Sequence, residues 1–380
     1  MNDEFRMKDL GRLSYFLGLQ AHYHTTCLFL NQHKYAEELL LAACMADCAP
    51  ASTTLPLELQ KVKGQEDLFD QPTHFRSLAG KLQYLTLTRP DIQFVVNLVC
   101  QRMHAPTIAD FNLLKRIIRY IKGNVDYGIS FSKNADFTLR AYSDSDYAGC
   151  QTTSRSTGGY CTFLWNNLIS WSAKRQTSVS RSSNEAEYRC LSDTTAEVNW
   201  LRDLLANISM QLYHAPELYC NNLSAVYLSA HPTLHKKTKH FKVHYHYVRE
   251  QVAEGTMVVY HIPAKYQLDD IFTKSLPLQV FTDLRHKLGV VSPPTQSLRG
   301  DVKSITTGLT ENSVQQTRLG LEETIKPTAV CFLTISSNGN KEKILTPFAL
   351  QRIEVMPNTA HHVVQTRNQF AALTSLILCC

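Results

Sequence analysis

Apolar and polar positions alternate along the first 290 residues in two rhythms, and each rhythm predicts a different kind of element. Two largely apolar runs, 15–23 and 27–30, are separated by polar His24, Thr25 and Thr26 and read as a hairpin. A helix is expected from about 32 to 44, and then a Pro-, Thr- and acid-rich stretch, 49–71, reads as a loop or linker. A helical region opens at Phe75 with Gly80 as a close-packing position, and Pro90 suits the first turn of a helix reaching Met103 with Ile92, Val95, Val96 and Val99 as its apolar stripe. The next helix, about 108–122, carries Lys115, Arg116, Arg119 and Lys122 at spacings of three or four.

From about residue 136 the rhythm changes. Runs 139–143, 159–165 and 168–172 read as three successive strands, with Asn166-Asn167 as the tight turn between the last two. Ser182, Ser183 or Asn184 can cap a helix running to about Ile208, in which Glu187, Leu191, Val198, Leu201 and Leu205 share one face. Run 217–220 is a fourth strand and 222–229 a short helix. A basic loop with Lys236, Lys237, Lys239 and His240 leads to a helix ending near Gly255, then a fifth strand at 257–262 and a last helix starting at 269–276. Strands first, then strands alternating with helices, predict an α/β (α+β) fold with a mixed five-stranded sheet.

Two features of this pattern carry chemistry. The strand at 139–143 runs into Asp144 and Asp146, and a strand end is where such sheets present reactive groups. Glu187 faces inward, where a carboxylate is costly unless a positive partner meets it; a metal ion is the natural one, with Asp144 as co-ligand. The plainer reading is that Asp144 and Asp146 cap a turn, with Asp146 structural. The stripe of Lys115 and Arg119 is either a solvated face or a phosphate-contacting one. Trp165 and Trp171 are assigned to the core.

Composition narrows the class only a little. The chain has 380 residues, 44% of them hydrophobic, enough for two or three cores, and a formal net charge of +6 that permits nucleic-acid binding without demanding it. Its 11 cysteines lack a CxxC pair, which suits free thiols in an intracellular protein better than a disulfide framework; no zinc site is expected. No secretory signal and no apolar run of about 18 residues is present, so no membrane partner is expected.

The residues Tyr142-Ser-Asp-Ser-Asp-Tyr-Ala-Gly149, Ser154-Arg-Ser-Thr-Gly-Gly-Tyr160, Ile169-Ser-Trp171 and Glu185-Ala-Glu-Tyr188, in this order, resemble the ribonuclease H domain of copia-type retrotransposon Pol polyproteins. The resemblance extends from about Met7 to Val291 and takes in Thr88-Arg-Pro-Asp91 and Lys115-Arg-Ile-Ile-Arg-Tyr-Ile-Lys-Gly123. The resemblance implies a reverse transcriptase thumb-like piece at 1–48, a mainly helical connection at 73–133 and a ribonuclease H-like domain at 136–280; composition reads 49–72 as a linker, and 292–380, where the resemblance fades, as a disordered or unrelated tail. The polymerase palm acids of the family lie upstream of these motifs, so a truncated fragment without a polymerase site is expected.

By the same resemblance, Asp144, Glu187 and Asp270 would hold Mg2+ or Mn2+ for hydrolysis of RNA in RNA–DNA hybrids. Lys115, Arg119, Lys174, Arg175, Lys236, Lys237, Lys239 and His240 would contact nucleic acid, and an intact retrotransposon polymerase is a partner the family allows. Four places depart from the family pattern, one of them Asp269, an extra carboxylate where a small residue is usual before Asp270. Asn221 replaces an expected catalytic aspartate, which removes one charge from a cluster meant for two cations. Lys242 stands where an acid is usual, and Asp110-Phe111 where a His-aromatic pair is usual. Two readings follow: an impaired nuclease, or a non-catalytic nucleic-acid-binding remnant of a decayed element.

Overall fold

The computed structural model describes residues 12–56, 67–133, 138–150, 152–230 and 241–294. All of them belong to one of two compact units, Met1–Pro327. The tail expected beyond 292 falls almost wholly outside the described residues, as do Lys236, Lys237, Lys239 and His240.

The first sheet is assembled from distant pieces of chain. Strands β1 (Tyr15–Phe16), β2 (Leu19–Tyr23) and β3 (Cys27–Asn31) form the expected hairpin with a short extra edge. Strand β4 (Gly128–Ser132) then pairs antiparallel with β3, and β10 (Val290–Val291) pairs with β4, giving the order β1-β2-β3-β4-β10. Gly128 is required at this junction, because a Cβ there would lie 2.1 Å from the Leu30 carbonyl oxygen. The mainly helical connection therefore comes with a sheet that joins both ends of the described chain.

Helices α1 (His33–Ala42), α2 (Pro72–Leu85), α3 (Gln93–Cys100, preceded by a 3-10 turn at Pro90–Ile92) and α4 (Ile108–Lys122) carry the core of this half. Helix α4 starts on a capping box in which Thr107 and Asp110 satisfy each other's backbone donors. Phe111 stacks on Phe69 at 4.1 Å, so the Asp110-Phe111 pair has its own packing solution. The 49–56 stretch is packed: Thr54 and Leu55 are buried, and Arg116 donates to Thr53 Oγ1 at 2.9 Å.

The second sheet has the order β7-β6-β5-β8-β9, from β5 (Leu139–Asp146), β6 (Thr157–Leu164), β7 (Asn167–Arg175), β8 (Glu217–Cys220) and β9 (Val258–His261). Strands β5, β6 and β7 are antiparallel neighbours, whereas β5-β8 and β8-β9 are parallel. Helix α5 (Ser183–Asn207) is capped by Ser182 and buries Tyr188, Leu191, Val198, Leu201 and Leu205. Helices α6 (Leu223–Ala230) and α7 (Lys242–Ala253) follow, the latter with Lys242 exposed at its first turn.

Three local expectations are corrected. The β6-β7 turn uses Trp165 and Asn166, with Trp165 at φ 54°, because Asn167 is held in β7 by accepting from the Ser132 backbone N–H at 2.9 Å. Trp165 and Trp171 are half-buried and do not belong to the core. The last helix is two: α8 (Asp270–Thr273) is a single turn and α9 (Leu278–Lys287) starts after Pro277, which biases the residue before it towards extended backbone.

Candidate functional site

The parallel pairing of β5 and β8 sets Ser143 opposite Cys220, so the residues that follow, Asp144 and Asn221, leave the sheet side by side. The Asn221 amide Nδ2 donates to Asp144 Oδ1 at 3.1 Å. Helix α8 reaches the same point from another direction. Thr273 Oγ1 donates to Asp144 Oδ2 at 2.6 Å, and the Lys274 ammonium lies 3.2 Å from Asp144 Oδ2 and 2.7 Å from Asp270 Oδ1. A glycine makes this approach possible: a Cβ on Gly159 of β6 would lie 2.6 Å from Asp269 Oδ2 and 2.8 Å from the Phe272 Cβ.

The first turns of α5 supply two glutamates with opposite fates. Glu185 is neutralised: Arg189 donates to it at 2.7 Å, and it accepts the Arg181 backbone N–H. Glu187 is buried, and its Oε2 has no hydrogen-bond partner. Burial, then the nearby Asp144 charge, pushes its carboxyl up to about 9 despite a hydrogen bond from the Ser145 backbone. Asp270 and Asp146 are raised for the same first reason, burial, with Lys274 pulling each back and Asp144 pushing each up. Burial tends to discharge Lys274, but Asp144 and Asp270 together hold it charged.

Of the two adjacent acids, Asp269 is the fully buried one. Its Oδ2 accepts the Asp144 backbone N–H at 3.2 Å, its Oδ1 has no partner, and burial and Asp144 raise it well above the carboxylate range. Asp270 turns instead towards Lys274. The structure thus brings Asp144, Glu187, Asp270 and Asn221 to one end of the sheet, with Asp146 at its margin. Among the described residues no three His, Cys, Asp or Glu side chains are grouped so as to hold a metal ion, and the Lys274 ammonium contacts both Asp144 and Asp270.

The expected nucleic-acid contacts are scattered by comparison. Arg119 Nε donates to the Ala49 carbonyl at 2.8 Å, and Lys115 lies 5.1 Å from the centre of the Phe111 ring, so both have intramolecular work. Lys174 is exposed on β7, and Arg175 donates to Cys150 Sγ at 3.7 Å. Sequence reasoning passed over Lys274 and Thr273. The i,i+4 spacing of Asp270 and Lys274 was the one available signal.

The order β7-β6-β5-β8-β9, three antiparallel strands followed by two parallel ones with α5 across the sheet, defines the ribonuclease H-like class of fold. No protein-family model matches the chain. It is 56% identical over 200 residues to an uncharacterized mitochondrial protein of Arabidopsis thaliana, AtMg00810, covering 53% of this chain and 83% of that protein. It is 39% identical over 294 residues to the retrovirus-related Pol polyprotein from transposon RE2 of the same plant, covering 77% of this chain. Among solved structures, the ribonuclease H1 LC11 aligns over 36% of this chain and 93% of its own at 16% identity and TM-score 0.29. A foamy viral protease-reverse transcriptase in complex with double-stranded DNA aligns over 69% of this chain and 38% of its own at 11% identity and TM-score 0.34. The chain belongs to the copia-type retrotransposon Pol family and corresponds to its reverse transcriptase/ribonuclease H part. It spans about a fifth of the length of the Pol polyproteins it matches, 20% for both transposon RE1 and transposon RE2.

Proposed function

We propose that residues 136–280 are a ribonuclease H-type nuclease unit for the RNA strand of RNA–DNA hybrids, impaired at its metal site by Asn221. The observation that carries this reading is the unpartnered Glu187 Oε2, buried beside Asp144 at the end of the sheet. A buried acid oxygen without a donor is costly unless a cation meets it, and carboxylate oxygens suit Mg2+ or Mn2+. The donor set fits, with Asp144, Glu187 and Asp270 as the residues that would hold the metal. When bound, such ions supply the activation of water and the stabilisation of the leaving oxygen.

The chain's own residues explain the impairment. An aspartate at position 221 would add charge, whereas the Asn221 amide presents its donor end to Asp144 and occupies Oδ1. Thr273 and Lys274 occupy the other oxygen. Asp144 therefore has little lone-pair capacity left for a cation. The second reading, a non-catalytic nucleic-acid-binding remnant, draws on this same crowding; the exposed Lys174 would then contribute to backbone contacts.

Cleavage of a labelled RNA–DNA hybrid with magnesium or manganese separates the two. The impaired-nuclease reading expects weak or no cleavage by the unmodified chain, a gain on the order of a hundredfold in Asn221→Asp, and loss in Glu187→Gln. A folded Asn221→Asp protein that still binds hybrid but does not cleave it would sink the nuclease reading and leave the remnant.

A further inference from the structure

Lys274 is crowded against the carboxylates in the nuclease reading, which gives it no role of its own. Its ammonium contacts Asp270 Oδ1 at 2.7 Å and Asp144 Oδ2 at 3.2 Å, so it stands between two of the three carboxylates that would hold a cation. Its side chain is 38% exposed, which gives the long, flexible stem a way out to solvent. The backbone helps: α8 ends at Thr273, and Lys274 is already extended at φ −133° and ψ 156°, so no helix has to unwind for the side chain to swing.

We infer that Lys274 is a built-in counter-ion, which neutralises Asp144 and Asp270 in the metal-free protein and which a divalent cation must displace to bind. This inference rests on the carboxylate cluster being the cation site. Its physical basis is competition: the ammonium and the metal want the same oxygens, and an unreleased positive charge a few ångströms from a divalent ion is strongly repelled. Such a counter-ion would hold the site together before metal arrives. It would also set a threshold of metal concentration, one that Asn221 raises further by withholding a negative charge.

The test is Mn2+ binding to the full chain, followed by the spin-resonance signal of free Mn2+, in the unmodified protein and in Lys274→Gln, Lys274→Arg and Glu187→Gln. Lys274→Gln should bind Mn2+ at least about tenfold more tightly, and Lys274→Arg, which keeps the charge, should not. Equal or weaker binding by a folded Lys274→Gln, with Glu187→Gln still abolishing it, overturns the counter-ion and leaves the cation site standing. Binding that Glu187→Gln leaves untouched removes the cation site and the inference together. A second readout needs no variant. Amine acylation of Lys274 in the unmodified protein, quantified by mass spectrometry, should rise severalfold on adding Mn2+; labelling that Mn2+ leaves unchanged overturns the displacement.

Discussion

Two of the buried ionic clusters among the described residues are built on opposite principles. Around the 3-10 turn at Pro90–Ile92, Arg89 donates to both Asp91 oxygens at 3.0 and 2.8 Å and to the Asn124 carbonyl at 2.8 Å. Tyr120 donates to Asp91 Oδ2 at 2.6 Å, and Arg285 of α9 donates to the Tyr120 hydroxyl at 3.1 Å. Arg89 matches Asp91 in charge and both Asp91 oxygens are used. Burial alone would push the Asp91 carboxyl up, but Arg89 outweighs it and holds the group below the usual range. At the end of the second sheet, five acids lie about one ammonium, two buried carboxylate oxygens have no partner, and Asp146, Glu187, Asp269 and Asp270 are all raised. In the first cluster the Arg89–Asp91 pair is satisfied and, with Tyr120 and Arg285, ties α4, α9 and the β4 approach together. The second is left in want of positive charge, which is how a site differs from a staple.

The largest effect should come from breaking the satisfied cluster. Arg89→Met leaves Asp91 buried and uncompensated, and denaturant unfolding should show a loss of roughly 3–5 kcal/mol. Pairing it with Asp91→Leu should restore much of that, because the cost lies in the orphaned charge; no recovery would mean that Arg89 acts through packing alone.

A smaller effect is expected on the unsatisfied side. Gly159→Ala drives a methyl into Asp269 and Phe272, so α8 must shift at a cost of about 1–3 kcal/mol. Thermal unfolding should detect it, and Glu187→Gln, which replaces an acid already held neutral, should leave the metal-free protein equally or more stable. A marked loss in Glu187→Gln would erase the contrast between the clusters.

The pH dependence of metal-free stability sharpens the comparison further. Glu187 has a folded value of about 9 against an ordinary 4.5, so between these the folded state holds a proton that the unfolded chain has lost, and stability falls as pH rises through that window. Asp91 works the other way. Its folded value lies below the ordinary 3.8, so its contribution is fully present above 3.8 and is lost as pH falls towards the folded value. Unfolding followed in a chelator across pH should show the alkaline decline shrink in Glu187→Gln, with Asp269 and Asp270 still contributing, and the acid decline remain.

How much of this was legible in the sequence differs between the two halves for one reason. Helix α4 spans Ile108–Lys122 and β8 spans Glu217–Cys220, both as the residue pattern predicts, because periodicity and caps are local signals. The succession of β5, β6 and β7 was also accessible, since they are sequential hairpin partners, whereas the parallel placing of β8 beside β5 was not. The first sheet was not. Its β3-β4 pairing spans roughly a hundred residues and β10 joins from the far end of the described chain, and no local rhythm encodes such a partner. The Thr88-Arg-Pro-Asp91 run stood out as a motif, yet its role appeared only when Tyr120 and Arg285 came to meet it.

The amino-acid sequence by itself determined which residues are acidic and which face of α5 turns inward. These follow from side-chain chemistry and from repeats a few residues long. Only the tertiary structure decided that Asn221 points its donor at Asp144, that Asp269 is buried while Asp270 is not, and that Lys274 reaches two carboxylates at once. The first depends on the parallel pairing of β5 with β8 and the other two on a turn of α8 landing against Gly159 across more than a hundred residues of chain, and hydrogen bonds and charges act through distance in space.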